Sequence, residues 1–165
     1  MDFKRLCRHL ATSHAEVRRA FPEHSLQAIE AAIKASEQTH IGEIRFVVEA
    51  ALDLSALLRE QTPRERAVEV FSHLRVWDTE HNNGVLIYLL LADRDVEIVA
   101  DRGLSRRLPQ AAWDVICHEM EAAFRLSHFE VGVIDGIEAI SRHLSAAFPS
   151  SDGGRNELPD TPQLL

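Results

Sequence analysis

From Val85 to Ala92 the chain is apolar at every position, with the Tyr88 hydroxyl as the one polar side-chain group. A strand that apolar must be covered on both faces, which predicts helices on either side of a sheet. Upstream, the period is two. Ile44, Phe46, Val48, Ala50 and Leu52 share one face, while Glu43, Arg45 and Glu49 share the other with Val47, so this strand has one polar face near its start. Val96 to Ala100 reads as a third strand. The short Asp93-Arg94-Asp95 turn makes it an antiparallel hairpin with the second. Helical spacing governs the rest. It links Phe3, Leu6, Cys7 and Leu10, then Val17 and Ala20, then Leu26, Ile29, Ile33 and Ser36 behind Pro22. Thr62-Pro63-Arg64-Glu65 is a capping box that starts a helix with the stripe Ala67, Val70, Phe71, Leu74 and Trp77. Trp113, Ile116, Cys117, Met120 and Phe124 follow Pro109 in a further helix. Ser127-His128 then separates it from a last one carrying Val133, Ile137, Ile140 and Leu144.

This order predicts an α/β fold: one domain with a mixed sheet of three or four strands sandwiched between helices, preceded by an N-terminal helical extension. The first two strands, joined by a helix, are expected to be parallel neighbours. Residues 1–40 are read as the extension and 41–148 as the α/β domain. Residues 149–165 are rich in proline, glycine and scattered polar groups and are read as a disordered tail.

Charge narrows the function. The 165 residues hold 18 Lys and Arg against 26 Asp and Glu, a net charge of -8. Such a balance argues against binding a nucleic-acid backbone. Cys7 and Cys117 fall on apolar helical stripes, so two buried, reduced thiols are expected. Met1 to Leu10 lacks an apolar signal core, and no run approaches the ~20 apolar residues of a membrane span. A cytoplasmic location is the expectation.

Two clusters are candidates for chemistry. In the loop before the apolar strand, Asp78, Glu80 and Asn82 alternate as in the first half of a calcium loop. Asn83 and Leu89 stand where that loop needs a glycine and a bidentate glutamate, so it is not an EF-hand. The hairpin topology brings Asn82 close to Asp101, and Asp101-Arg102-Gly103 ends the third strand beside the loop. The second cluster is Glu37, His40 and Glu43, and its plainest reading is a solvated helix terminus. No nucleophile elbow, P-loop or dinucleotide fingerprint is present.

From Asn82-Asn83-Gly84-Val85-Leu86-Ile87 through the hairpin to Gly103-Leu104, and again at Phe129-Glu130-Val131-Gly132-Val133-Ile134, the chain resembles the TPM domain family. That family spans thylakoid-lumen, photosystem-repair and receptor-modulator types, and this chain looks like a divergent, cytoplasmic, bacterial-type branch. The resemblance runs from about Ile41 to Leu144 and implies an α/β sandwich. It also implies a site for calcium or another divalent ion and, for some members, acid phosphatase activity. By that resemblance Asn82 stands at a metal-ligand position, and Asp78, Glu80 and Asp101 nearby would partly compensate as metal ligands, with Arg102 facing phosphate. Asn82, Ser105 and Gln110 stand where the family carries acidic residues, so calcium or magnesium is expected to bind weakly. Glu37, His40 and Glu43 would supply replacement ligands if the N-terminal helices cover the site. The resulting expectation is a module for a protein partner or a small phosphorylated ligand, in envelope or membrane-complex maintenance, with a degenerate divalent-metal site. The alternative is a divalent-metal-dependent acid phosphatase hydrolysing phosphomonoesters, so the sequence leaves open whether the protein is an enzyme.

Overall fold

A computed structural model describes residues 2–150 and 155–165. Three helices lead, α1 (Phe3–Ala11), α2 (His14–Ala20) and α3 (Glu23–Ser36), followed by strand β1 (Glu43–Glu49). A short α4 (Leu54–Leu58) and α5 (Pro63–His73) carry the chain to the hairpin of β2 (Gly84–Leu90) and β3 (Asp95–Ala100). After it come α6 (Arg102–Ser105), α7 (Gln110–Arg125), α8 (Phe129–Ala147) and β4 (Gln163–Leu164). The sheet order is β3-β2-β1-β4. β1 is parallel to β2 and to β4, while β2 and β3 are antiparallel.

Alternation along β1 and β2 sorts the side chains onto two cores. Ile44, Phe46, Val48, Val85, Ile87 and Leu89 face one core, against α2, α3, α7 and α8. Val47, Leu86, Tyr88 and Leu90 face the other, against α4 and α5. Each large aliphatic side chain buried in this way contributes roughly 1.5–3 kcal/mol. Helices therefore cover both faces of β2. Val17, Phe21, Ile29 and Ile33 enter the first core, so helices read as an extension pack on the same sheet as the rest. At the start of α5, Thr62 and Glu65 form the reciprocal capping box, with Pro63 in the first turn.

Three features extend or depart from the sequence reading. The polar face of β1, whose surroundings the sequence left open, is buried. Glu49 accepts the Tyr88 hydroxyl at 2.7 Å and a two-point contact from Arg66 at 2.9 and 3.1 Å. Arg45 donates to the Pro159 carbonyl and to Gln163 Oε1. Glu43 accepts the Leu158 amide at 3.0 Å.

Secondly, residues 155–165 are ordered where a disordered tail was expected, while 151–154 lie outside the described residues. This segment covers those polar groups, buries Leu158 in the second core and pairs with the free edge of β1. A buried polar face needs hydrogen-bond partners, and a composition rich in proline and glycine conceals a two-residue strand.

Thirdly, Cys7 is exposed whereas Cys117 is buried. α1 is short and lies at the margin of the fold, so its stripe is only partly covered. Burial pushes the Cys117 thiol up to about 12. An alkylating reagent at neutral pH is expected to modify Cys7 in the native protein and Cys117 only after unfolding, because the thiolate is the nucleophile. Mass spectrometry of the labelled peptides checks this, and native labelling of Cys117 would contradict it.

Candidate functional site

The loop of residues 78–83 and the turn of residues 101–104 meet at one end of the sheet, where β2 begins and β3 ends. Two glycines permit close backbone approach at this end of the sheet, Gly103 at the contact itself and Gly84 beside Val76. A Cβ on Gly84 would strike the Val76 carbonyl, and one on Gly103 would strike the carbonyls of Asn82 and His81. Such close backbone approach needs glycine. The Gly103 amide donates to the Asn82 carbonyl at 2.9 Å, and the Asp101 amide donates to the Gly84 carbonyl at 2.9 Å. Asn82 sits at φ 50, a left-handed conformation that asparagine tolerates. The expected proximity of the Asn82 loop and the Asp101 turn is thus present.

The candidate ligands do not converge on a common point. Asp78 and Glu80 are exposed, and the Glu80 amide donates to the Glu157 carboxylate at 3.1 Å. Asn82 Oδ1 accepts Arg102 Nε at 2.7 Å. Asp101 is buried, and its Oδ1 accepts the Arg102 amide at 2.6 Å as the cap of α6. Two oxygens at this end, Asp101 Oδ2 and Asn83 Oδ1, are buried without a hydrogen-bond partner among the described residues. Sequence reasoning passed over two residues that hold the loop. Thr79 Oγ1 accepts the Asn83 amide at 3.1 Å, and Asn83 Nδ2 donates to the Ile41 carbonyl at 2.6 Å. Both are unremarkable loop residues until β1 is placed beside them.

Glu37, His40 and Glu43 are not a solvated helix terminus. His40 and Glu43 are buried and Glu37 is half-buried. Each contacts a different backbone group, and His40 Nε2 is buried without a hydrogen-bond partner among the described residues. Glu37 Oε1 accepts the Ile44 amide at 2.9 Å, His40 Nδ1 lies 2.9 Å from the Gly42 carbonyl, and Glu43 takes the Leu158 amide. Burial, which outweighs the Ile44 contact, combines with the nearby Glu43 and Asp160 carboxylates to push the Glu37 carboxyl up to about 8. Burial likewise raises Glu43 and lowers His40. These side chains face the strand end and the C-terminal segment, and they supply no ligands to the hairpin.

The TPM domain model matches residues 18–143. The chain belongs to the TPM domain family. It is also similar to the BA42 protein of the psychrophilic bacterium Bizionia argentinensis, known by NMR, at 30% identity and a TM-score of 0.76. That match covers 86% of this chain and 93% of the other. The N-terminal domain of a P. gingivalis protein shares the fold at 20% identity and a TM-score of 0.61, over 76% of this chain and 77% of that one. Among curated proteins, none matches.

For this TPM domain, the dication implied by the resemblance meets a poor donor set. Calcium takes about six to eight oxygens, with charged carboxylates setting its affinity. Here the Asn82 oxygen already faces a guanidinium, one Asp101 oxygen caps a helix, and the two remaining buried oxygens include a single carboxylate oxygen. Among the described residues, no three His, Cys, Asp or Glu side chains are grouped to hold a metal ion. As arranged, the residues do not fit a hard dication. No helix among the described residues is long and apolar enough to cross a membrane.

Proposed function

We propose that this TPM domain is a binding module, for a protein partner or a small phosphorylated ligand, whose divalent-metal site is degenerate. One observation carries the reading. Arg102 Nε donates to Asn82 Oδ1 at 2.7 Å, so a neutral amide stands where the family pattern has a carboxylate, and it faces a protein cation instead of a metal. A guanidinium is always charged and needs no cofactor. It leaves an exposed cation at the sheet end with which a partner's carboxylate or phosphate can pair. The alternative, a metal-dependent phosphatase, draws support from Asp101 Oδ2, a buried carboxylate oxygen without a partner beside that same arginine.

An amide NMR titration of the metal-stripped protein with calcium, magnesium, manganese and zinc tests this. The expected result is no saturable, localised shift over residues 78–84 and 101–104 below millimolar ion. The double variant Asn82→Asp with Arg102→Gln adds a carboxylate and removes the competing cation. It is expected to bind calcium at least about tenfold more tightly than the wild type, since ligand charge sets affinity. Saturation of the wild type at micromolar ion, with phosphomonoester hydrolysis lost in Asp101→Ala, would establish the phosphatase instead.

A further inference from the structure

A cavity of about 710 Å³ lies at the opposite end of the sheet, beyond the carboxyl ends of the parallel pair β1 and β2. Open α/β sheets hold their ligands at such ends, and the size is that of a small-molecule site. Its floor is apolar, from Leu91 and Phe129. Its rim carries three guanidinium groups, Arg8 from α1, Arg19 from α2 and Arg94 from the β2–β3 turn. In a chain of net charge -8, three arginines around one cavity run against the overall balance.

Among the described residues, only Arg8 of the three is paired with an acid, Asp93. Both carboxylate oxygens of Asp93 are already engaged, by Arg5 at 2.9 Å and Arg8 at 3.0 Å. Glu16 is the remaining acid in the lining. Arg19 and Arg94 make no side-chain hydrogen bond or ion pair with any described residue, so both are available to a ligand. The long α8 also begins here. Ser127 and Phe129, on either side of its cap residue His128, line the cavity, and no side chain caps its first turn. The positive end of that helix, offset in part by Glu130 in its first turn, faces the same cavity.

We propose that this cavity binds a small organic phosphate, with an apolar body against Leu91 and Phe129 and its phosphate held between Arg19 and Arg94. A phosphomonoester carries a charge of about −1.5 to −2 near neutral pH, which two unpaired guanidinium groups match. Guanidinium forks suit phosphate oxygens better than a point charge does. Arg8, from α1, lies ahead of the TPM match at residues 18–143, so part of the rim comes from sequence outside the matched family region. The site is independent of the Asn82–Asp101 end, and its occupancy is read at different amides.

Phenyl phosphate is the probe, titrated into labelled protein with phenol, benzoate and inorganic phosphate as separate arms. Expected are saturable shifts at residues 91–94 and 127–129 with phenyl phosphate, weaker ones with benzoate and inorganic phosphate, and none with phenol. Arg19→Gln and Arg94→Asn should each weaken binding by about tenfold, as the loss of a charged hydrogen bond implies. Both should melt like the wild type, because neither guanidinium supports the fold. Asparagine at 94 keeps the positive φ of that turn residue, a conformation it tolerates. The proposal is overturned if millimolar phenyl phosphate leaves these amides unmoved. It is equally overturned if phenol, benzoate or inorganic phosphate binds as tightly, or if both variants keep full affinity.

Discussion

Asp93→Ala is expected to lower the free energy of unfolding by about 3 kcal/mol, the scale for removing one partner of a largely buried ion pair. The carboxylate of Asp93 ties α1 to the β2–β3 turn. Arg5 Nε donates to Oδ2 at 2.9 Å and Arg8 to Oδ1 at 3.0 Å. His9, buried, places Nε2 at 3.2 Å from Oδ2, while its Nδ1 accepts the Leu52 amide at 3.0 Å. A neutral ring accepting at Nδ1 carries its proton on Nε2, facing the carboxylate. Burial works to raise Asp93, and the hydrogen bonds from Arg5 and Arg8 outweigh it, holding the group below the usual carboxylate range. Alanine at 93 leaves His9 buried without its acid and both arginines without theirs. α1 should then open locally before the sheet unfolds. Urea denaturation gives the stability, and amide exchange at Leu52 reports the docking of α1, because that amide is protected by His9. A loss under about 1 kcal/mol with Leu52 still protected would mean that apolar contacts alone hold α1 in place.

Glu37→Gln should stabilise the protein in alkali and change little in acid. In the unfolded chain Glu37 titrates near its ordinary value of 4.5, whereas in the fold it keeps its proton up to about 8. Between those values the folded state binds more proton than the unfolded one, so the stability supplied by this group is complete below 4.5 and is lost as pH rises through 8. Glutamine mimics the protonated acid. Its oxygen can accept the Ile44 amide as Glu37 does now, and its amide can donate toward Asp160. Near pH 9 the variant is expected to be more stable by about 2 kcal/mol, discounted from the full linkage value because Glu37 is partly open to water. Near pH 4, where Glu37 is protonated in both states, the two proteins should melt together. Comparing wild type and variant at each pH cancels Glu43, whose carboxyl is raised by burial in both. Equal stability of the two proteins near pH 9 would show that Glu37 ionises without cost.

The elements that were legible in the sequence are those whose signal is local. The unbroken apolar run at β2 announced coverage on both faces, and the alternation along β1 separated Ile44, Phe46 and Val48 from Val47. The capping box at Thr62 marked the start of α5 correctly. The short turn at Asp93 implied the antiparallel hairpin, and from the hairpin alone followed the meeting of the Asn82 loop with the Asp101 turn. Trp77 illustrates the limit of periodicity. It continues the stripe of α5 in sequence, yet the helix ends at His73 and the indole is half exposed.

By itself the sequence determined the α/β class, the two-sided burial of β2, the hairpin and the resemblance to TPM domains, because each depends on neighbours within a few residues or on one short connection. Tertiary structure alone decided what became of the polar groups. Glu43, Arg45 and Glu49 form the polar face of β1 in sequence and are buried because residues 155–165 and α5 return to cover them. Glu37 and His40 look like a ligand pair, yet Glu37 Oε1 accepts the Ile44 amide and His40 Nδ1 meets the Gly42 carbonyl. Asn82 looks like a metal ligand and faces Arg102. The common cause is that a polar side chain takes its role from the group opposite it. In this fold that group comes from a distant stretch of chain.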